Sequence, residues 1–250
     1  MSGVDGLRAA VTGLIGLAAA AEQVLLAEAG LTAHVEPGSP QCWAAVPVIE
    51  HNTEFRAQQV QRLRAVRCGQ HPPAFPEVDH RSTELYAELG AQPADAVARD
   101  SWRVTGELAE EMRLVSLDDL VEPERNAWLR GRQLWLQVVV RGFWHPTGHI
   151  GDYYLQHGQP DRAVALAEHA RAAADYLRAP AQAQGMAAYN LACAQAGAGC
   201  LDAAEVALAA AIALNPDVRE NALRDNDLAA IRARGTLSAL SDTPSSGGPS

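Results

Sequence analysis

Leu7, Val11, Leu14, Ile15 and Ala18 recur at three- and four-residue steps, the period of one helix face, and predict a helix over residues 4–29 with Gly30 as its C-cap. The Glu36-Pro37-Gly38-Ser39-Pro40 run reads as a turn-rich loop. A second helix is predicted over 43–66, with Ile49, Phe55, Val60 and Leu63 as its apolar contacts. Pro47 is tolerated only in a first turn, so the regular part starts near Val46. Gly69 and the Pro72-Pro73 pair end it. A third helix is split by Gly90 and Pro93 into 82–89 and 94–112, and an open connection with several turn residues follows over 116–133. The fourth helix covers 134–157. Pro146 lies inside it, and Gly142 four residues earlier eases the ring's clash with the preceding turn, so a kink is expected there.

Beyond Gly158 the apolar positions become mostly alanine. Helices are predicted over 160–177, 182–196, 201–214 and 216–234, with Pro180 as a break. Gly158-Gln-Pro-Asp161-Arg-Ala163 and Gly199-Cys-Leu-Asp202-Ala-Ala204 share one spacing, and Ala170 and Ala211 fall at the same offset downstream, an internal repeat of 41 residues. The Ser/Gly/Pro-rich stretch 241–250 is expected to be disordered. The fold class is therefore all-α, with a bundle over 1–157, a helical repeat region over 158–240 and a tail.

Composition changes this picture in three places. A net charge of −10 with no basic stripe argues against nucleic acid as a partner. All 20 basic residues are arginine, which with abundant alanine, glycine and proline suggests a GC-rich genome. Cys42, Cys68, Cys193 and Cys200 form no CxxC pair and no disulfide framework, which fits a reducing cytoplasm; Cys193 and Cys200 read as small core residues. Asp5 and Arg8 deny the N-terminal apolar stretch the positive start of a signal peptide. No run reaches the ~18 apolar residues of a bilayer span, so no membrane is expected as a partner.

Candidate chemistry centres on His51, His145 and His149. Residues four apart share a helix face, so the last two can bind one ion, and a third imidazole from a neighbouring helix completes a facial set. Three protein nitrogens leave a coordination position open, as catalytic sites do. Gly142, Gly148 and Gly151 leave space near the pair. Asp152, three residues after His149, can orient a ligand or act as a base, and Arg141 can hold an anionic substrate. Glu50 and Glu54 flank His51. Tyr153 and Tyr154, and the tryptophans Trp128, Trp135 and Trp144, can line a pocket or fill core. His157 suits a helix C-terminus.

These motifs resemble the DinB-like four-helix bundles, which include thiol-dependent S-transferases, a mycothiol-dependent maleylpyruvate isomerase and the ClbS/DfsB branch. The likeness rests on Val48-Ile49-Glu50-His51, on His145-Pro146-Thr147-Gly148-His149-Ile150 and on Trp43, eight residues before His51, and it covers residues 4–157. Pro146 and the Trp-bearing segment before the fourth helix depart from the family pattern. The resemblance implies a divalent ion, Zn²⁺ first, with Ni, Mn or Fe as alternatives, held by His51, His145 and His149. It further implies that the ion activates water or a thiol cofactor, mycothiol or another low-molecular-weight thiol, against an electrophilic small molecule. A metal-dependent transferase or hydrolase is thus expected, with self-resistance by sequestration of a reactive metabolite as the alternative. Ala188-Tyr189-Asn190-Leu191-Ala192-Cys193, with Gly199, Ala204, Leu208, Ala211 and Pro216, resembles a tetratricopeptide repeat, which implies a protein partner or packing on the bundle. A homodimer stays open.

Overall fold

The computed structural model describes residues 3–29, 38–39, 42–75 and 92–235. Among these the chain is helical, apart from one two-residue antiparallel pairing of Gly38–Ser39 with Cys42–Trp43. The helix expected over 82–89, the Gly30 cap, the ends of the 36–40 turn and the tail at 241–250 lie outside the described residues.

Three helices open the chain: α1 (Gly3–Ala29), α2 (Ala45–Arg67) and α3 (Ala94–Leu114). Pro47 sits in the first turn of α2, where its missing N–H costs nothing. The far end of α2 closes on Gly69 at φ +66°, with the Gln70 N–H donating to the Ala65 carbonyl at 2.8 Å, so that the left-handed glycine satisfies a terminal carbonyl. The connection expected to be open over 116–133 is instead helical. A short α4 (Leu117–Val121) is capped by Ser116, whose Oγ accepts from the Asp119 N–H at 3.1 Å, and a 3₁₀ turn over Pro123–Leu129 follows.

The fourth rod comes in three pieces: α5 (Leu134–Val139), a π-helical turn (Val140–Trp144) and α6 (His145–Gln156). The disturbance predicted at Pro146 therefore appears as a π turn on its N-terminal side, and the proline falls in the first turn of α6. Gly142 has a reason beyond the proline. A Cβ there would meet Ile15 Cγ1 at 2.8 Å and Leu108 Cδ2 at 3.2 Å, so the glycine lets the rod close onto α1 and α3. Val11, Leu14 and Ile15 from α1, Leu63 from α2, Leu108 and Met112 from α3, and Leu134, Val138 and Phe143 from the rod form the shared core.

One polar network crosses that interior. Arg56 and Glu22 are both fully buried and pair at 2.5 Å; Ser101 Oγ donates to Glu22 at 2.6 Å and Asn52 Nδ2 at 3.0 Å. This ties α1, α2 and α3 together around a desolvated charge pair. Contrary to the expectation from sequence, Gly6–Glu28 of α1 is long and apolar enough to cross a bilayer by length and composition; half of that window is buried inside the protein.

The alanine-rich region forms α7 (Pro160–Tyr176), α8 (Ala181–Gly197) and α9 (Leu201–Leu214). A single helix over 216–234 is not found. Asp225 interrupts it, giving α10 (Val218–Arg224), a 3₁₀ turn over Asn226–Leu228 and α11 (Ala229–Ala233). Repeat-related positions are structurally equivalent. Gly158 and Gly199 take φ +69° and +79°, and the residue after each donates to a carbonyl five back, Tyr154 and Gln195, at 2.8 Å. Ala163 and Ala204 are both fully buried. Ala170, Ala174, Ala183 and Met186 join the core shared with α1 and the rod, so this region packs directly on the bundle.

Candidate metal centre

His51 comes from the second turn of α2, and His145 and His149 from the first two turns of α6. The π turn sets which way α6 faces. Its extra residue rotates everything downstream relative to α5, so His145 and His149 follow a different face from that of the preceding rod. The carbonyls beside the proline are taken up locally: Thr147 Oγ1 donates to the Phe143 carbonyl at 2.8 Å, and Asn190 Nδ2 of α8 donates to the Trp144 carbonyl and to Thr147 Oγ1, each at 2.9 Å. The alanine-rich region thus braces the turn that presents two of the three imidazoles.

The three rings converge. Nε2 of His51 and Nε2 of His145 lie 3.0 Å apart, and one nitrogen from each of His51, His145 and His149 falls within 4.8 Å of the others. A tetrahedral ion with metal–nitrogen bonds of about 2.0–2.1 Å sets its nitrogens about 3.4 Å apart, between these values. His149 Nε2 is shut off from water and has no hydrogen-bond partner in the protein. Such an atom costs about 1–3 kcal/mol, which a ligated ion would offset. The donor set therefore fits a metal ion.

The surroundings keep all three imidazoles neutral, the form that binds metal. Burial is the first cause in each case. It holds the pKa of His51 down to about 3, helped by His149 and Arg141, and that of His149 down to about 4. His145 lies well below the usual histidine range, through burial and then through His149, His51 and Arg141. Aromatic rings close one side. Phe55 lies 4.6 Å from the His51 ring and 5.0 Å from His145, and Trp43 meets His51 edge-on at 5.2 Å and stacks with His149 at 6.4 Å.

Asp152 lies beside this centre, and Arg141 is separated from it by the Phe55 ring. An Asp152 oxygen lies 3.8 Å from His149 Nδ1. Burial first, then Asp227 and Asp225, pushes its pKa up to about 7; two-fifths of the side chain remains open to water, which screens part of that shift. The Arg141 guanidinium sits 4.5 Å over the Phe55 ring, and burial and the charge of Arg62 hold its pKa at about 10. Most of the other candidates go elsewhere. Glu54 accepts from Gln58, Tyr154 donates to Glu28 at 3.0 Å, and His157 caps α6 through the Tyr153 carbonyl. Trp128, Trp135 and Trp144 pack on the shared core; Trp128 also lies under Arg62, and Trp144 lines the pocket beside the histidines and meets Tyr189 edge-on. Cys200 is exposed at the start of α9 and not core; Cys193 is half-buried, and the side chain of Cys42 lies outside the described residues.

His145, His149 and Asp152 open onto a pocket of about 260 Å³ between α6 and the alanine-rich helices, with Gly148 and Gly151 in its wall. Tyr189, Cys193, Asp225 and Asp227 form the opposite wall. In the sequence Tyr189 and Cys193 stand out only as part of the tetratricopeptide-like motif, and Asp225 and Asp227 not at all, although Asp225-Asn226-Asp227 interrupts an otherwise helical stretch. Tyr189 donates to Asp225 at 2.7 Å, and burial, then the nearby carboxylates, holds the Cys193 thiol well above its usual pKa, so it stays protonated. Comparison of the chain with protein-family models, curated proteins and solved structures finds no match.

Proposed function

We propose that the protein is a metal-dependent enzyme of DinB-like architecture, a four-helix bundle followed by tetratricopeptide-like hairpins, that acts on an electrophilic small molecule. The observation that carries this reading is the convergence of His51, His145 and His149, neutral and partly unpartnered, within 4.8 Å. Their nitrogens would hold the ion, Zn²⁺ first by the nitrogen donor set. A bound divalent ion lowers the pKa of a ligated water to about 7 and deprotonates a ligated thiol, so either can serve as nucleophile.

The chain's own residues supply the rest. Trp43 and Phe55 keep water from one side of the imidazoles. The 260 Å³ pocket takes the small molecule on the other side. Asp152, with its carboxyl near neutrality beside His149, can hold the proton released from a thiol or water and return it to the leaving group. Elemental analysis of the protein as purified tests the centre. About one divalent ion per chain is expected, lost together with electrophile turnover when His51, His145 and His149 are all changed to alanine. A wild-type protein without stoichiometric metal, whose turnover survives the triple change, removes the reading. Turnover with and without added mycothiol then separates thiol from water.

A further inference from the structure

Most arginines among the described residues have a carboxylate: Arg56 has Glu22, Arg64 and Arg67 share Glu111, Arg99 has Asp95, Arg162 has Glu28 and Arg234 has Asp202. That is the ordinary state in a chain with 30 acids and 20 arginines. Of those without one among the described residues, three meet at a single cleft. This cleft of about 700 Å³ lies between the rod from Leu136 to Trp144 and the segment from Asn215 to Leu223. Arg132, Arg141 and Arg219 line it, and none of them has a carboxylate partner among the described residues. Of the two acids in its wall, Glu220 is already held by Arg224 at 2.8 Å, which leaves Asp217 against three guanidinium groups.

The donors there are also incompletely used. Arg141 Nε, Arg219 Nη2 and Trp144 Nε1 are buried without an acceptor. Behind them Arg62, packed over Phe75 and Trp128, adds a further cation with no carboxylate among the described residues and a buried, unpartnered Nη1. Like charges gathered where the chain has spare acids are unfavourable unless an anion joins them, and the guanidinium fork matches a carboxylate or phosphate with two parallel hydrogen bonds. The volume falls within the usual range of small-molecule sites, about 300–1,000 Å³. Arg141 links this cleft to the imidazoles: its guanidinium covers the Phe55 ring, whose other neighbours are His51 and His145.

We propose that this cleft binds the carboxylate or phosphate of a small molecule, with Arg141, Arg219 and Arg132 as its counter-charges. The site needs no metal, so it is tested on the full chain after chelation, apart from the fate of the imidazole centre. Inorganic phosphate and succinate are titrated calorimetrically against chloride at matched ionic strength. Saturable binding of one equivalent is expected, and whichever anion binds tighter names the source of the oxyanion. Arg141→Gln and Arg219→Gln should each weaken it by at least about tenfold, whereas Arg99→Gln, on the exposed face of α3, should leave it unchanged. Arg219 lies on a short helix, so its variant keeps the test open if Arg141→Gln fails to fold. Binding no better than chloride, or equal loss in Arg99→Gln, overturns the proposal.

Discussion

The bundle and the alanine-rich region are both helical, yet their interiors are built on opposite plans. The buried face of α2 carries His51, Asn52, Thr53, Arg56, Gln58 and Gln59 beside its aliphatic residues. The buried residues of α7 are Ala163, Ala167, Ala170 and Ala174 and nothing else. Small side chains let helix backbones approach closely. At Gly185 a Cβ would meet Asn215 Cβ at 2.6 Å and the Ala211 carbonyl at 3.0 Å. Packing of this kind buries little polar surface. The bundle instead holds charges and imidazoles out of water, which is unfavourable unless every group is partnered. At Glu22 and Arg56 opposite charges meet inside the protein, although Arg56 Nε and Nη1 lack an acceptor, and the arrangement is structural; at His149, whose buried Nε2 has no partner while two further imidazoles converge on it, the arrangement points to a ligand.

Breaking the buried pair is the strongest test of that division. Glu22→Ala strands the Arg56 cation in a dry interior and should cost about 3–5 kcal/mol in urea denaturation. Replacing both partners, Glu22→Leu with Arg56→Met, should recover most of the loss. A cost below about 1 kcal/mol for Glu22→Ala would mean that the bundle's polar interior is no more demanding than the alanine packing of the other region.

Acid should then act on the bundle first. Above pH 6.5 His51 is neutral in both the folded and unfolded chain. Below it the unfolded chain takes up a proton, while the folded chain does not until about pH 3. Folding stability therefore falls as the pH falls, by about 2 kcal/mol between pH 6.5 and 5 for this one group. Asp152 works the other way: with its pKa raised to about 7 it binds a proton in the folded chain first, so its contribution rises as the pH falls, less strongly because it is partly open to water. Comparing the pH dependence of stability in chelated wild type and His51→Gln isolates the histidine. Equal slopes in the two proteins would show that His51 is not held neutral by burial.

Much of this was legible in the sequence because it rests on local rules. Helical periodicity placed α1, α2 and α9 to within a residue or two, and Pro47 marked a first turn because proline has no other place in a helix. His145 and His149 were legible from their spacing. Three features were not. Short helices such as α4 carry too few residues to show a period, so the connection looked open. The π turn at Val140–Trp144 changes register by one residue, which no periodicity argument detects. The second wall of the pocket, with Tyr189, Cys193 and Asp225, is made by packing between regions far apart in the chain. The pairing state of arginines is likewise a tertiary fact: Arg56 and Arg141 look alike in sequence, and only one has a carboxylate among the described residues.

The smallest effect separates backbone from packing in the repeat itself. Gly158 and Gly199 have no atom within 4 Å of where a Cβ would stand, so an alanine there meets no neighbour. What it meets is its own carbonyl, since both residues are left-handed at φ +69° and +79°. Gly158→Ala and Gly199→Ala should therefore each cost about 1 kcal/mol, equally, and asparagine at either position should recover part of it. Gly69, at φ +66° with the same open surroundings, carries the same cost at the end of α2. Thermal denaturation of the three alanine variants measures this directly. Matching losses mean that the helix-ending turn is one device used alike in both regions, and that their difference lies wholly in what the helices bury. A loss at Gly199 well above that at Gly158 would instead show that the repeat's two turns, alike in dihedrals and hydrogen bonds, do not contribute alike to folding.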